Sequence, residues 1–323
     1  MLKSNGIRTR ALVLGGGGVA GIAWELGILI GLYDAGVDVR GADVIVGTSA
    51  GSVVGAQIAS GTHLESLYAS QLTPVEQSKE LKVAFDPVQM MEAFSQAVAG
   101  AGPDTKAIRA RIGAYALTVP AISEAERRVV IETRLPLHTW PQQRLLIVAV
   151  DTETGEEYIM DRSSGVSLVD AVAASCAVPG IWPPVTIAGH RYMDGGMRSA
   201  TNADLATGYE RILILNPLGA NANFIGAGTD AEAAALERAG SQVLVVAPDA
   251  ASTTAIGLNP LDPATRQPSA LAGRTQGREL VAPVAALWIL HEQNLKHYHL
   301  FFEAQKKVTS KSYPEVSFAL LEL

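Results

Sequence analysis

Residues 44–55 read VIVGTSAGSVVG, an apolar run that enters Gly47-Thr48-Ser49-Ala50-Gly51 and leaves through small residues. A β-branched run ending in Gly-x-Ser-x-Gly predicts a buried strand that turns sharply into a helix, with Ser49 at the apex of the turn. The pentapeptide does not settle chemistry by itself, because small residues are needed wherever two backbones pack closely. The flanking sequence has to supply the context.

Further short apolar runs bounded by Gly, Pro, Asn or Asp recur at 11–14, 43–46, 144–150, 211–215 and 242–246, and they read as strands buried on both faces. Helical stretches at 22–35, 52–60 and 167–174 lie between several of them. That alternation predicts an α/β fold, a mainly parallel central sheet covered by helices on both sides. Residues 62–135 have helical spacing and no strong strand, so they are expected to form a helical insertion over the sheet edge and one wall of a cleft. A long helix is expected from about Arg278 through His299, preceded by a loop over 248–273 rich in Pro, Ser and Thr. With no internal repeat, residues 1–310 read as one domain and 311–323 as a C-terminal tail.

With 323 residues, 48% hydrophobic and only 18% charged, the chain can bury a large core. A formal charge of -7 leaves no basic footprint for nucleic acid, and any peripheral membrane contact must be apolar and local. The lone Cys176 excludes an internal disulfide and suits a reducing, cytoplasmic setting. Lys3, Arg8 and Arg10 ahead of ALVLGGGGVAGIAWELG imitate a secretory leader, but Glu25 and six glycines within 15–27 interrupt its apolar part. No uncharged apolar run is long enough to span a membrane.

Gly16-x-Gly18-x-x-Gly21 matches the dinucleotide fingerprint, which makes a Rossmann-type nucleotide site the first alternative. That fingerprint needs an acidic residue at the end of the second strand, and here the strand flows into Gly47-Thr48-Ser49, with Asp38 and Asp43 before it. A Walker loop is excluded, since no Gly-Lys-Ser/Thr follows a glycine run. The competing reading is that the N–H groups of Gly16, Gly17 and Gly18, at a helix N-terminus, stabilise a developing oxyanion beside Ser49.

A nucleophilic serine requires a base. His291, His297 and His299 fall on the polar face of the terminal helix, His63 and His138 fall in or near the insertion, and His190 shapes the turn IAGHRY. Asp194, at the end of a short strand and followed by Gly195 and Gly196, is the better candidate. An ordinary carboxylate is a feeble base toward an alcohol, so the pair requires burial to raise its proton affinity and an oxyanion site to carry much of the stabilisation.

Taken in order, GGGGVAG, GTSAGS, VDAVAASCAVPGIWPPV and YMDGG resemble a patatin-like phospholipase, most clearly over 11–60 and 144–205. The resemblance implies a three-layer α/β/α fold, a Ser49–Asp194 dyad that hydrolyses lipid acyl esters through an acyl-enzyme, an oxyanion hole at Gly16–Gly18, and no metal or other cofactor. Gly47, Gly51, Gly195 and Gly196 would support the two turns. Two positions depart from the family pattern. Ala20 stands where a basic residue is common, and Asn202-Ala203-Asp204 replaces Asn-x-Pro, which touches loop packing more than chemistry. Trp182, Pro183, Pro184, Val185, Met90, Met91 and Phe94 could line an acyl channel, although such residues are more often plain core. A catalytically silent lipid-binding protein is the second alternative.

Overall fold

The computed structural model describes residues 9–83, 85–219 and 228–288. The chain begins with β1 (Arg10–Leu14), α1 (Gly18–Asp34), β2 (Val44–Thr48) and α2 (Ala50–Ala59). Four helices follow, α3 (Leu64–Gln71), α4 (Pro87–Val98), α5 (Thr105–Thr118) and α6 (Glu124–Arg134), so 62–135 is helical as expected. The sheet resumes with β3 (Leu145–Asp151) and β4 (Glu157–Met160), then α7 (Leu168–Ser175) and the hairpin β5 (Val185–Ile187) and β6 (His190–Asp194). The described chain closes with β7 (Arg211–Leu215), α8 (Thr229–Arg238), β8 (Gln242–Val246), α9 (Ala250–Ile256), α10 (Arg266–Glu279) and α11 (Val281–Trp288).

The strand order is β5-β6-β3-β2-β1-β7-β8, with β4 also on β3. β8, β7, β1, β2 and β3 are parallel. Alternate residues of these strands face opposite layers, the direct consequence of the two-residue strand period. Leu12, Leu14, Ile45 and Ile147 pack with α1, α2 and α7, while Ala11, Val13, Val46 and Ile214 pack with Ala233 and Leu236 of α8. The fold is therefore the α/β sandwich anticipated, with helices on both faces.

Two expectations need correction. The stretch 248–273 is not a continuous loop, because it contains α9 and the start of α10. The long terminal helix is broken at Leu280 between α10 and α11, and its remainder, with His291, His297 and His299, lies outside the described residues.

The registers position the site. Ile147 and Val148 pair with both β2 and β4, whereas Ala149 and Val150 pair with both β4 and β6. Since each residue of a strand has only two hydrogen-bonding edges, β4 fills one edge of β3 and β2 and β6 divide the other. β2 runs parallel to β3 and stops with Thr48 opposite Val148; β6 runs antiparallel and stops with Asp194 opposite Ala149. The two strands thus meet carboxyl end to carboxyl end, which brings Asp194 up to Ser49.

Candidate active site

Ser49 has φ 50° and ψ -114°, a backbone conformation that costs an L-residue energy unless its surroundings hold it. Three side chains do so. Its N–H donates to Ser175 Oγ at 2.9 Å, and its carbonyl accepts from Ser52 Oγ at 2.6 Å and Cys176 Sγ at 3.3 Å. The turn is tight because the Gly51 N–H donates to Gly15 O at 2.9 Å, drawing α2 onto the end of β1. A Cβ on Gly51 would lie 2.0 Å from Leu14 O, so only glycine fits there. Gly47 sits two residues before Ser49, in β2 itself.

The Ser49 hydroxyl donates to Asp194 Oδ2 at 2.7 Å. The other carboxylate oxygen, Oδ1, accepts the Gly196 N–H at 2.7 Å as the chain turns through Gly195–Met197. Asp194 is buried, and burial pushes its pKa up to about 7 against the opposing pull of the Ser49 hydroxyl, the Gly196 N–H and the nearby Arg127 guanidinium. A carboxylate of that proton affinity is matched to a hydroxyl far better than one of ordinary acidity.

The first glycine loop faces the same space. Gly16, Gly17, Gly18, Ser49 and Asp194 line one cavity of about 130 Å³. Its other walls are apolar, including Phe85, Met90, Phe94 and Met197 from the insertion and the β6 turn, and Leu261 from the loop after α9. The three glycine amides are not equivalent. Gly16 N–H is already donated to Ala200 O at 2.8 Å, whereas Gly17 and Gly18 N–H meet no acceptor among the described residues. They lie at the start of α1, where the helix adds partial positive charge.

Of the proposed acyl-channel residues, Met90 and Phe94 line this cavity. Trp182 does not, and instead lies under Arg127, 3.6 Å from guanidinium carbon to ring centroid, in a neighbouring crevice. Met91 is exposed on the outer side of α4, and Pro183, Pro184 and Val185 are buried away from the cavity. Among the described residues no histidine approaches Ser49. His63 and His138 are exposed, and His190 stands in the β5–β6 hairpin with Nδ1 3.3 Å from Asp151 Oδ2. Asp38 and Asp43 bond to Arg40 and the Arg10 N–H, at the opposite end of β2 from Ser49, which leaves the nucleotide fingerprint without its acidic partner.

Sequence reasoning missed Ser175 and Arg127, and Asn202 is more tightly placed than its packing role suggested. Asn202 takes φ 51°, and its Nδ2 donates to Thr48 Oγ1 at 2.9 Å, Ser199 O at 3.0 Å and Gly195 O at 3.3 Å, tying the serine turn to the aspartate turn. The only signal in the sequence was the residue type, since Asn adopts a positive φ more readily than most residues. Ala20 is fully buried and donates its N–H to Pro260 O at 3.0 Å.

Residues 12–207 match the family described as patatin-like phospholipase. Among solved structures, VipD from Legionella pneumophila aligns at 15% identity with a TM-score of 0.42, covering 85% of this chain and 67% of that one. The type III effector protein ExoU aligns at 15% identity and a TM-score of 0.38, over 85% of this chain and 53% of that one. A complex of SpcU with ExoU from Pseudomonas aeruginosa gives 16% identity, a TM-score of 0.36 and coverage of 85% and 52%. The chain thus spans about half to two thirds of the length of these structures.

Proposed function

The chain belongs to the patatin-like phospholipase family, and on that premise we propose that it is a serine acyl hydrolase that cleaves carboxylic esters of lipids with a Ser49–Asp194 dyad. The observation that carries this reading is the 2.7 Å hydrogen bond from a conformationally strained serine to a buried carboxylate, in a cavity also lined by Gly17 and Gly18, whose N–H groups have no acceptor among the described residues.

Asp194, ionised, accepts the Ser49 proton as Oγ attacks the ester carbonyl. The oxyanion of the tetrahedral intermediate is taken up by Gly17 and Gly18 N–H, which have no ground-state partner to give up. Gly16 shapes the loop but has spent its N–H on Ala200. The protonated Asp194 then returns its proton to the departing alkoxide, leaving an acyl-enzyme. Water deprotonated by the same carboxylate attacks that ester and restores Ser49. The apolar walls built by Met90, Phe94, Met197 and Leu261 suit the acyl chain, and its polar remainder leaves on the opposite side of Ser49.

A fluorophosphonate probe should label the wild-type protein and not Ser49→Ala. Turnover of p-nitrophenyl esters of graded chain length, blanked with Ser49→Ala, then measures the acyl preference. An unlabelled, inactive wild type would falsify the proposal, and tight binding of a dinucleotide in its place would restore the alternative reading of the glycine loop.

A further inference from the structure

Ser49 stands between two unlike spaces. On the Met90 and Phe94 side is the apolar cavity already described. On the other side, a narrow crevice of about 20 Å³ is lined by Ser49, Arg127, Cys176 and Trp182. Beyond it lies a cavity of about 230 Å³ with polar walls that include Gln57, Gln71, Lys79 and Arg266. The crevice and this cavity share Val19, Ile22, Glu80 and Arg134, so they adjoin across the Arg134–Glu80 ion pair. That pair is bidentate, Arg134 Nε and Nη2 donating to Glu80 Oε1 and Oε2 at 2.8 and 2.6 Å, and it satisfies itself.

Arg127 is different. It is 4% exposed, and neither its Nε nor its Nη1 finds an acceptor among the described residues. Trp182 holds the guanidinium by its face, the stacking geometry that leaves the N–H edge free. Leaving a buried cation without a hydrogen-bond partner is costly, and stacking does not compensate for the lost donors. Farther along, Arg266 spends Nε and Nη2 on Gln71 Oε1 and Ser70 O but leaves a buried Nη1 unpartnered. The polar side of the site therefore carries Arg127, Arg134, Arg266 and Lys79 against the carboxylate of Glu80, with Asp194 acting on Arg127 from the Ser49 side, and two of those guanidiniums still have buried donors to give.

Building on the hydrolase reading, we infer that Arg127 is a specificity residue that receives a phosphate on the alcohol side of the scissile ester, with the polar cavity toward Arg266 accepting the rest of that group. Guanidinium and phosphate match in charge and in donor geometry, and the location follows from Ser49: acyl chain on one side, phosphate-bearing alcohol on the other.

Octanoyl glycerol 3-phosphate and octanoyl glycerol differ only by the phosphate and are to be compared below their aggregation concentrations. The wild type should favour the phosphate-bearing ester in kcat/KM by about tenfold or more, the usual consequence of a charge-assisted hydrogen bond. Arg127→Met should bring that ratio close to one, with Arg127→Lys intermediate and thermal melting confirming that both variants fold. A wild-type ratio near one, or an unchanged ratio in Arg127→Met, overturns the inference. The latter is also what a purely structural role, or an effect exerted only through Asp194, would give, because both substrates would then fall together. Calorimetric binding of the same two amphiphiles to Ser49→Ala reads the subsite without turnover. Tighter binding of the phosphate-bearing compound, lost in Ser49→Ala/Arg127→Met, supports it, and equal binding of the two overturns it. A wild type that hydrolyses no ester refutes the hydrolase reading alone, and this binding comparison then judges the subsite.

Discussion

The sheet with its turns and the helical insertion over 62–135 contribute to the site in different ways. From the sheet come Ser49, Asp194 and the glycine amides, each fixed by backbone registers and by clasps such as Asn202 and Ser175. From the insertion come Met90, Phe94 and Arg127, whose positions rest on side-chain packing of short helices. Under the proposed mechanism the difference separates chemistry from selectivity: groups that must meet to within a hydrogen bond sit on strand ends, and groups that only shape or charge a wall sit on an inserted layer. Substitutions in the first region should therefore change rates over all substrates, and substitutions in the second should change ratios between them.

The largest expected effect lies on the dyad. Ser49→Ala should lower kcat/KM for every ester by about 10⁴-fold or more, the scale seen when a nucleophile is removed. Asp194→Asn, which keeps the shape and removes the base, should cost about 10³-fold, within the usual range for general-base catalysis. Steady-state rates on one short and one long ester check both, and a loss confined to one of the two would break the division drawn above.

Asp194 also links activity to stability with opposite signs. Its folded pKa of about 7 is raised above the unfolded value, mainly by burial. Below about pH 4 both states hold the proton and the shift contributes nothing. Between there and about 7 the unfolded chain ionises first, so the folded state loses stability as pH rises, and above 7 the full cost is present. Two consequences are measurable. kcat/KM should rise through about pH 7 and then level off, since the ionised form is the base. Asp194→Asn should melt higher than wild type at pH 8, by about 2 kcal/mol, and lose that advantage in acid. An inactive variant no more stable than wild type would mean that burial has not strained this carboxylate.

Gly51→Ala should be the most damaging change to the fold in this region, because the added methyl would overlap the Leu14 carbonyl, next to the Gly15 carbonyl that accepts the Gly51 N–H. A backbone atom cannot step aside as a side chain can, and a loss of about 3 kcal/mol or more in chemical denaturation is expected. Asn202→Ala should cost about 2 kcal/mol by leaving buried Thr48, Ser199 and Gly195 acceptors unpaired. It should also slow turnover of all esters alike, as loosening between the two turns would.

How much of this was legible in the sequence follows the same division. The buried parallel strands, the serine turn and the Asp-Gly-Gly turn announce themselves locally, through β-branched runs and small residues at fixed offsets. β4, with only four residues and two of them exposed, carries no such run. α10 is hidden for a physical reason: it packs on α1 through glycine instead of large apolar side chains. A Cβ on Gly31 would lie 2.3 Å from Arg274 O, and one on Gly277 would lie 2.4 Å from Ile28 O, so the backbones touch. The sequence RQPSALAGRTQGRE accordingly shows no apolar stripe, and its first eight residues, through Gly273, read as loop. Arg127 was illegible because nothing in EAERRVVIETR marks which of its charges turns inward; α6 looks like any solvated helix until Trp182 arrives from 55 residues later.

The smallest predicted effect probes the insertion. Met90 is half-buried in the apolar cavity, on a helix whose outer side exposes Val88 and Met91. Met90→Ala removes a flexible wall without touching Ser49, Asp194 or the amides. Folding should be affected by about 1 kcal/mol, because the side chain borders open space and is not locked into the core. The acyl preference should shift toward longer chains by a few-fold, the discrimination available from one or two methylenes in an apolar pocket. Rates on the shortest p-nitrophenyl ester should stay within about twofold, since its chain does not reach this wall and the transition-state contacts are unchanged. A uniform fall over all chain lengths would instead show that the insertion braces the dyad itself, and the separation between a chemical frame and a selective layer would not hold.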